Sequence, residues 1–80
     1  MVKVKVIAEE EKEEEVSDKK KLEEVVEEMV EKYDLLSPRP DDVVITVTDQ
    51  RGRKYTKADG SKTLAKLGIK ELVIEKSIIF

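Results

Sequence analysis

Residues 9–15 read Glu-Glu-Glu-Lys-Glu-Glu-Glu, six carboxylates on one short stretch. Clustered carboxylate oxygens are the ligands a hard cation such as Ca²⁺ prefers. The Asp, Asn and Gly spacing of a calcium loop is absent, and no position in the run is apolar enough to bury. The stretch therefore reads as a solvated turn or a poor edge strand, with no metal site. The opposite charge gathers later, at Arg51, Arg53, Lys54, Lys57, Lys62, Lys66 and Lys70. Such a stretch can neutralise phosphates, which keeps nucleic-acid binding through residues 51–70 as an alternative. Tyr55 alone is at hand to stack on a base, and no RNA-recognition motif of basic, glycine and aromatic residues appears. Solvated surface is the preferred reading. Gly52 and Gly60 lack the spacing, Lys and Ser/Thr of a phosphate-cradling loop. Ser17, Ser37, Ser61 and Ser77 have no histidine to activate them and read as caps and turns.

The composition removes further chemistries. The 80 residues include no cysteine, histidine or tryptophan. Disulfides, thiolate metal sites and cysteine nucleophiles are excluded, as are imidazole bases and ligands. A non-enzymatic protein without a cofactor is expected. No apolar run approaches the roughly 18 residues of a membrane span, and residues 1–8 carry no signal-peptide core, so the reading is a cytoplasmic monomer. Residues 1–42 carry 8 basic and 15 acidic side chains, and residues 43–80 carry 8 and 4, the two halves making up the net charge of −3. Dense Lys, Glu and Arg with few amides resemble the composition of a thermophile's protein or a designed one.

These charges must be positioned by one small domain over residues 1–80, because a chain this short buries only about 60–65% of its unfolded surface. Leu22, Val25, Val26, Met29, Val30 and Tyr33 recur at helical spacing and form one apolar stripe, opposite Glu23, Glu24, Glu27, Glu28, Glu31 and Lys32. The spacing predicts a helix over residues 18–33, capped by Ser17-Asp18 and stopped by Pro38 and Pro40. Leu35 and Leu36 are expected to plug the end of the core. Val2, Val4 and Val6 alternate with Lys3 and Lys5, the period of a half-buried strand. A second strand is expected over residues 42–48, with Val43, Ile45 and Val47 on one face. A hairpin follows at residues 49–53, then a short return strand at residues 54–56 and a turn at residues 57–61. One helical turn is expected over residues 63–67, closed by Gly68. The last strand spans residues 71–80, with Lys76 interrupting its buried face.

This order resembles that of the ubiquitin-like β-grasp superfamily. Thr63-Leu64 followed by Gly68-Ile69 looks like the Thr-Leu segment these proteins place before their final strand, and Pro38-Arg39-Pro40-Asp41 is similar to their Pro-Pro-Asp connection. The resemblance implies an α+β domain: a mixed four- to five-stranded sheet, first and last strands parallel at its centre, packed on one helix. It departs at the end of the chain, where Ser77-Ile78-Ile79-Phe80 stands in place of the Gly-Gly that carriers and modifiers of this superfamily use for adenylation and transfer. A sulfur-carrier or modifier relative that has lost that tail is therefore an alternative.

If the first and last strands pair, Lys3 and Lys5 neighbour Glu71 and Glu75. Framed by these charges, Lys3, Lys5, Val44, Thr46, Val73 and Glu75, with Ile79, form the candidate protein-docking face. The resemblance loosely places ubiquitin's interaction patch at Val44 and Val73. The expected function is a non-catalytic protein–protein interaction module with an unidentified protein partner and no small-molecule ligand. The alternative from another class is a designed or structural scaffold without an evolved ligand.

Overall fold

In the computed structural model, which describes residues 1–37 and 39–79, four strands form one sheet. These are β1 (Val2–Ile7), β2 (Glu11–Val16), β3 (Val43–Asp49) and β4 (Glu71–Ile78), in the order β2-β1-β4-β3. β1 and β4 pair in parallel at the centre, with Val4 beside Leu72 and Val6 beside Ile74, whereas β2 and β3 join antiparallel at the edges. A parallel pair needs a crossover rather than a hairpin. The connection carries helix α1 (Leu22–Lys32) and, before β4, the single turn α2 (Leu64–Leu67). This four-stranded mixed sheet on one main helix is an α+β fold with the β-grasp arrangement.

The core forms where the stripe of α1 meets one face of the sheet. Leu22, Val25 and Met29 are buried against Val2, Val4, Val6, Leu72 and Ile74, with Val16, Leu35, Leu64 and Ile69 closing the ends. Val26 and Val30 are half-buried, on the flank of the stripe. Lys76, on the same sheet face, is accommodated by donating to the carbonyl oxygen of Ser37 at 2.7 Å.

Several expectations need correction. The helix starts at Leu22, four residues later than the Ser17-Asp18 cap implies, because tertiary bonds claim the preceding backbone. Leu64 N–H donates to Lys20 O at 3.0 Å and Ala65 N–H to Asp18 O at 2.9 Å. Carbonyls of the same distant loop cap the helix in return: Leu22 N–H donates to Lys62 O and Glu23 N–H to Gly60 O. Ser17 Oγ instead accepts from Lys19 N–H within its own turn. At 11 residues α1 is about 16 Å long rather than 24 Å.

The helix also ends by its own device, upstream of the prolines. Asp34 takes φ 50°, Asp34 N–H donates to Glu31 O and Leu35 N–H to Val30 O, the paired closure of a Schellman motif. That turn drives Leu35 into the core, 1% exposed, and leaves Leu36 outside at 38%. Only one leucine is a plug. Of the residues expected in the proline loop, Pro40 opens a 3₁₀ turn with Asp41 and Asp42, and Pro38 lies outside the described residues, as does Phe80 at the end of the expected last strand.

Of residues 9–15, 11–15 form an edge strand, with Val16 buried at its end. The Glu run is tolerated there because β1 offers lysines across the ladder: Lys5 reaches Glu11 at 3.2 Å and Lys3 reaches Glu13 at 3.9 Å, both diagonal neighbours. The expected return strand at residues 54–56 is reduced to an isolated bridge between Thr48 and Lys54. We expect Leu35→Ala to lower stability by about 2–4 kcal/mol and Leu36→Ala by less than about 0.5 kcal/mol, measured by urea unfolding.

Candidate functional site

The inward-facing positions of β3 are the odd ones, Val43, Ile45 and Val47, and Asp49 continues that parity opposite Leu72. Its carboxylate is therefore carried into the protein, 4% exposed. A buried carboxylate without partners is costly, and this one is fully supplied. The chain turns at Gly52, φ +78°, and folds the N–H groups of Arg51 and Arg53 onto Oδ1 at 2.9 and 3.0 Å. Arg51 Nε and Nη2 donate to Oδ2 at 3.0 and 2.8 Å, and the Tyr55 hydroxyl donates to it at 2.6 Å. Burial alone would raise the Asp49 pKa, but the hydrogen bonds from Tyr55, Arg51 and the two backbone amides outweigh it and hold the carboxyl well below its ordinary range.

The same residues tie β3 to α2. Arg51 Nη2 donates to Leu67 O at 3.0 Å, while Gln50 donates to Gly68 O and accepts from the N–H groups of Lys70 and Glu71. Five donors converge on Asp49 and make it a structural knot. In the sequence Asp49 falls in the hairpin and Arg51 in the basic stretch; strand parity is the signal that Asp49 points inward.

A second cluster joins the Glu run to the helix. Glu14 lies on the inner side of β2, where Lys32 Nζ donates to Oε1 at 2.7 Å and the Tyr33 hydroxyl donates to Oε2. The hydrogen bonds from Lys32 and Tyr33 lower the Glu14 pKa. The bond to Glu14, followed by partial burial, raises that of Tyr33.

The proposed docking residues share the sheet face opposite α1. Lys5 stands beside Val73, Glu75 beside Thr46, Lys3 beside Glu71, and Val44 beside Ser77. Lys5, Val73, Thr46 and Glu75 are thus close neighbours. Lys3 and Val44 sit at opposite ends, six β4 residues or about 20 Å apart. Glu75 pairs in register with Ile7 rather than with a lysine, and both lysines make their ion pairs with β2. Val44 is 41% exposed and Ile79 57%, while Ile7 and Val73 are half-buried.

The basic stretch is not a uniform surface. Arg51 is committed to Asp49, and Tyr55 is 8% exposed with the Arg53 guanidinium 5.4 Å from its ring centre. The tyrosine therefore offers no platform for a base, contrary to its expected availability.

Two grooves flank the core. One, of about 360 Å³, lies under the end of α1 among Val6, Lys12, Tyr33, Leu35 and Lys76. The other, about 530 Å³, runs between α1 and β3 over Leu22, Val26, Ile45 and Val47, with Glu23 and Glu27 on the helix side. Among the described residues no group of three or more carboxylates is arranged to hold a metal ion, and no helix is long and apolar enough to cross a membrane. Comparison with protein families and with curated proteins finds no match.

Below the unfolded-chain value of about 3.9, unfolded Asp49 binds a proton that the folded protein refuses. Its stabilisation is thus complete above about pH 5 and lost on acidification. Asp49→Asn should cost about 2–3 kcal/mol at pH 7, a deficit that narrows towards pH 2 in urea unfolding. At the alkaline end, burial and the Asp49 bond raise Tyr55, so its stabilisation holds below about pH 10 and is lost as pH rises through the folded-state value. With no tryptophan present, absorbance near 295 nm should show phenolate appearing above pH 10, together with unfolding.

Proposed function

We propose that this chain is a ubiquitin-like, non-catalytic interaction module that docks another protein on the open face of its sheet. What carries the reading is that α1 covers one face of the sheet only. The opposite face presents Val44 and Ile79 to solvent at one end, with half-buried Ile7 and Val73 further along it, Glu75 and Lys5 interspersed among them, and Lys3 and Glu71 at the far end. Apolar side chains interspersed with charges can desolvate on docking while the charges set orientation. The absence of histidine and cysteine, with Asp49 and Glu14 both engaged in fixed hydrogen bonds, supports a role in binding rather than chemistry.

A scaffold without an evolved ligand is the competing reading. The Lys–Glu pairs across β1 and β2 favour it, because they neutralise much of the same face internally. The two readings separate on one substitution. Val44→Asp places a charge in the apolar part of the face at an exposed site, where its cost to stability stays under about 1 kcal/mol. Affinity capture should recover a defined partner with the wild-type chain and lose it with Val44→Asp, while circular dichroism of the two proteins remains the same. Identical capture by both, or none by either, removes the docking reading.

A further inference from the structure

β3 is an edge strand whose outward side is only half covered. Tyr55 N–H donates to Val47 O at 2.9 Å and Asp49 N–H to Arg53 O at 3.1 Å, so the odd residues of β3 aim their backbone groups away from β4. By the same parity Ile45 N–H and C=O point outward, and among the described residues nothing bonds them. A strand edge left open in this way accepts an added strand. Beside it runs the 530 Å³ groove, whose apolar floor and wall are Ile45, Val47, Leu22 and Val26. Its helix side carries Glu23 and Glu27, and neither takes part in an ion pair among the described residues.

We propose that this edge is a second docking site, distinct from the sheet face, for an extended basic-apolar peptide that adds to β3. A residue paired with Ile45 through its own N–H and C=O directs its side chain to the same side as Ile45, into the groove between Ile45 and Val26. A β-branched apolar residue suits that position. The groove-facing position beside Val47 is already taken by Tyr55, and the one beside Val43 lies about 6–7 Å from Ile45 along the strand. There a lysine covers apolar surface with its stem and brings its ammonium to Glu23 or Glu27. The partial cover by residues 53–55 sets the length: the peptide has room beside residues 43–46 and is stopped by Tyr55, Thr56 and Lys57 at the groove's end.

The probe is acetyl-Thr-Val-Thr-Lys-Thr-amide, followed by amide chemical shifts of the isotope-labelled full chain and by fluorescence anisotropy. Shifts should concentrate at Ile45, Val47 and Val26. Replacing the peptide lysine by glutamate should weaken binding at least tenfold, and so should N-methylation of the valine, which removes its donated strand hydrogen bond without changing charge. Glu27→Lys should reverse the preference in favour of the glutamate peptide. Lys5→Ala, on the other sheet face and two strands away from β3, should leave peptide affinity unchanged, which separates this site from the sheet-face reading. The proposal is overturned if the N-methylated peptide binds equally well, if the shifts fall on the acidic β2 strand instead, or if Ile45 broadens with protein concentration in the absence of peptide, which would make a second copy the occupant.

Discussion

The parallel pairing of β1 with β4 is the constraint on which the rest of the molecule depends. It places Val4 and Val6 beside Leu72 and Ile74, joining strands from the two ends of the chain. All the intervening residues must then act as a crossover. A hairpin cannot close a parallel pair, so α1 is obliged to lie over the sheet. Its buried residues Leu22, Val25 and Met29 are covered by the central strands β1 and β4. The edge strands follow from the same pairing: β2 has only β1 to join and β3 only β4.

Charge is arranged around that frame to make marginal elements acceptable. A run of six glutamates has neither strong strand propensity nor an apolar face, yet residues 11–16 form β2. Each outward carboxylate gains a lysine on β1 or remains in water, and the inward Glu14 is met by Lys32 and Tyr33. Exposed pairs of this kind contribute only a few tenths of a kcal/mol each. The tertiary position of β1, itself held by the core, is what brings them within reach. A charged edge also discourages uncontrolled strand addition on the β2 side, which contrasts with the uncovered backbone of Ile45 on the β3 side.

At the far end of β3 the chain solves a different problem. The strand's parity sends an aspartate inward, and the next six residues are shaped to satisfy it through the Gly52 turn, the two backbone amides, Arg51 and Tyr55. Arg51 extends that cluster to Leu67, and Gln50 extends it to Gly68 and Lys70. The start of β4 is thereby positioned by the end of β3 as well as by the core. Without a second polar cluster of this kind at residues 18–22, the start of α1 relies on reciprocal backbone bonds to residues 60–65.

By itself the sequence determined what periodicity and composition can encode. The alternation at Val2, Val4 and Val6, the helical stripe through Leu22, Val25 and Met29, the inward set of β3, and the turn Thr63 to Gly68 all appear where local pattern placed them, although Val26 sits on the flank of that stripe. The β-grasp order of elements appears there too, since side-chain period reports directly which face is buried. Tertiary structure alone decided the helix start at Leu22 and the demotion of residues 54–56 to a bridge. It also decided the strand made from glutamates, the division of labour between Leu35 and Leu36, and the conversion of Arg51 and Tyr55 from surface candidates into partners of Asp49. Each depends on a hydrogen bond or ion pair to a residue brought near by the fold or on a left-handed Asp34. The open edge at Ile45 belongs to the same class: propensity makes a strand, but only the surrounding strands decide which of its backbone groups are left for a partner.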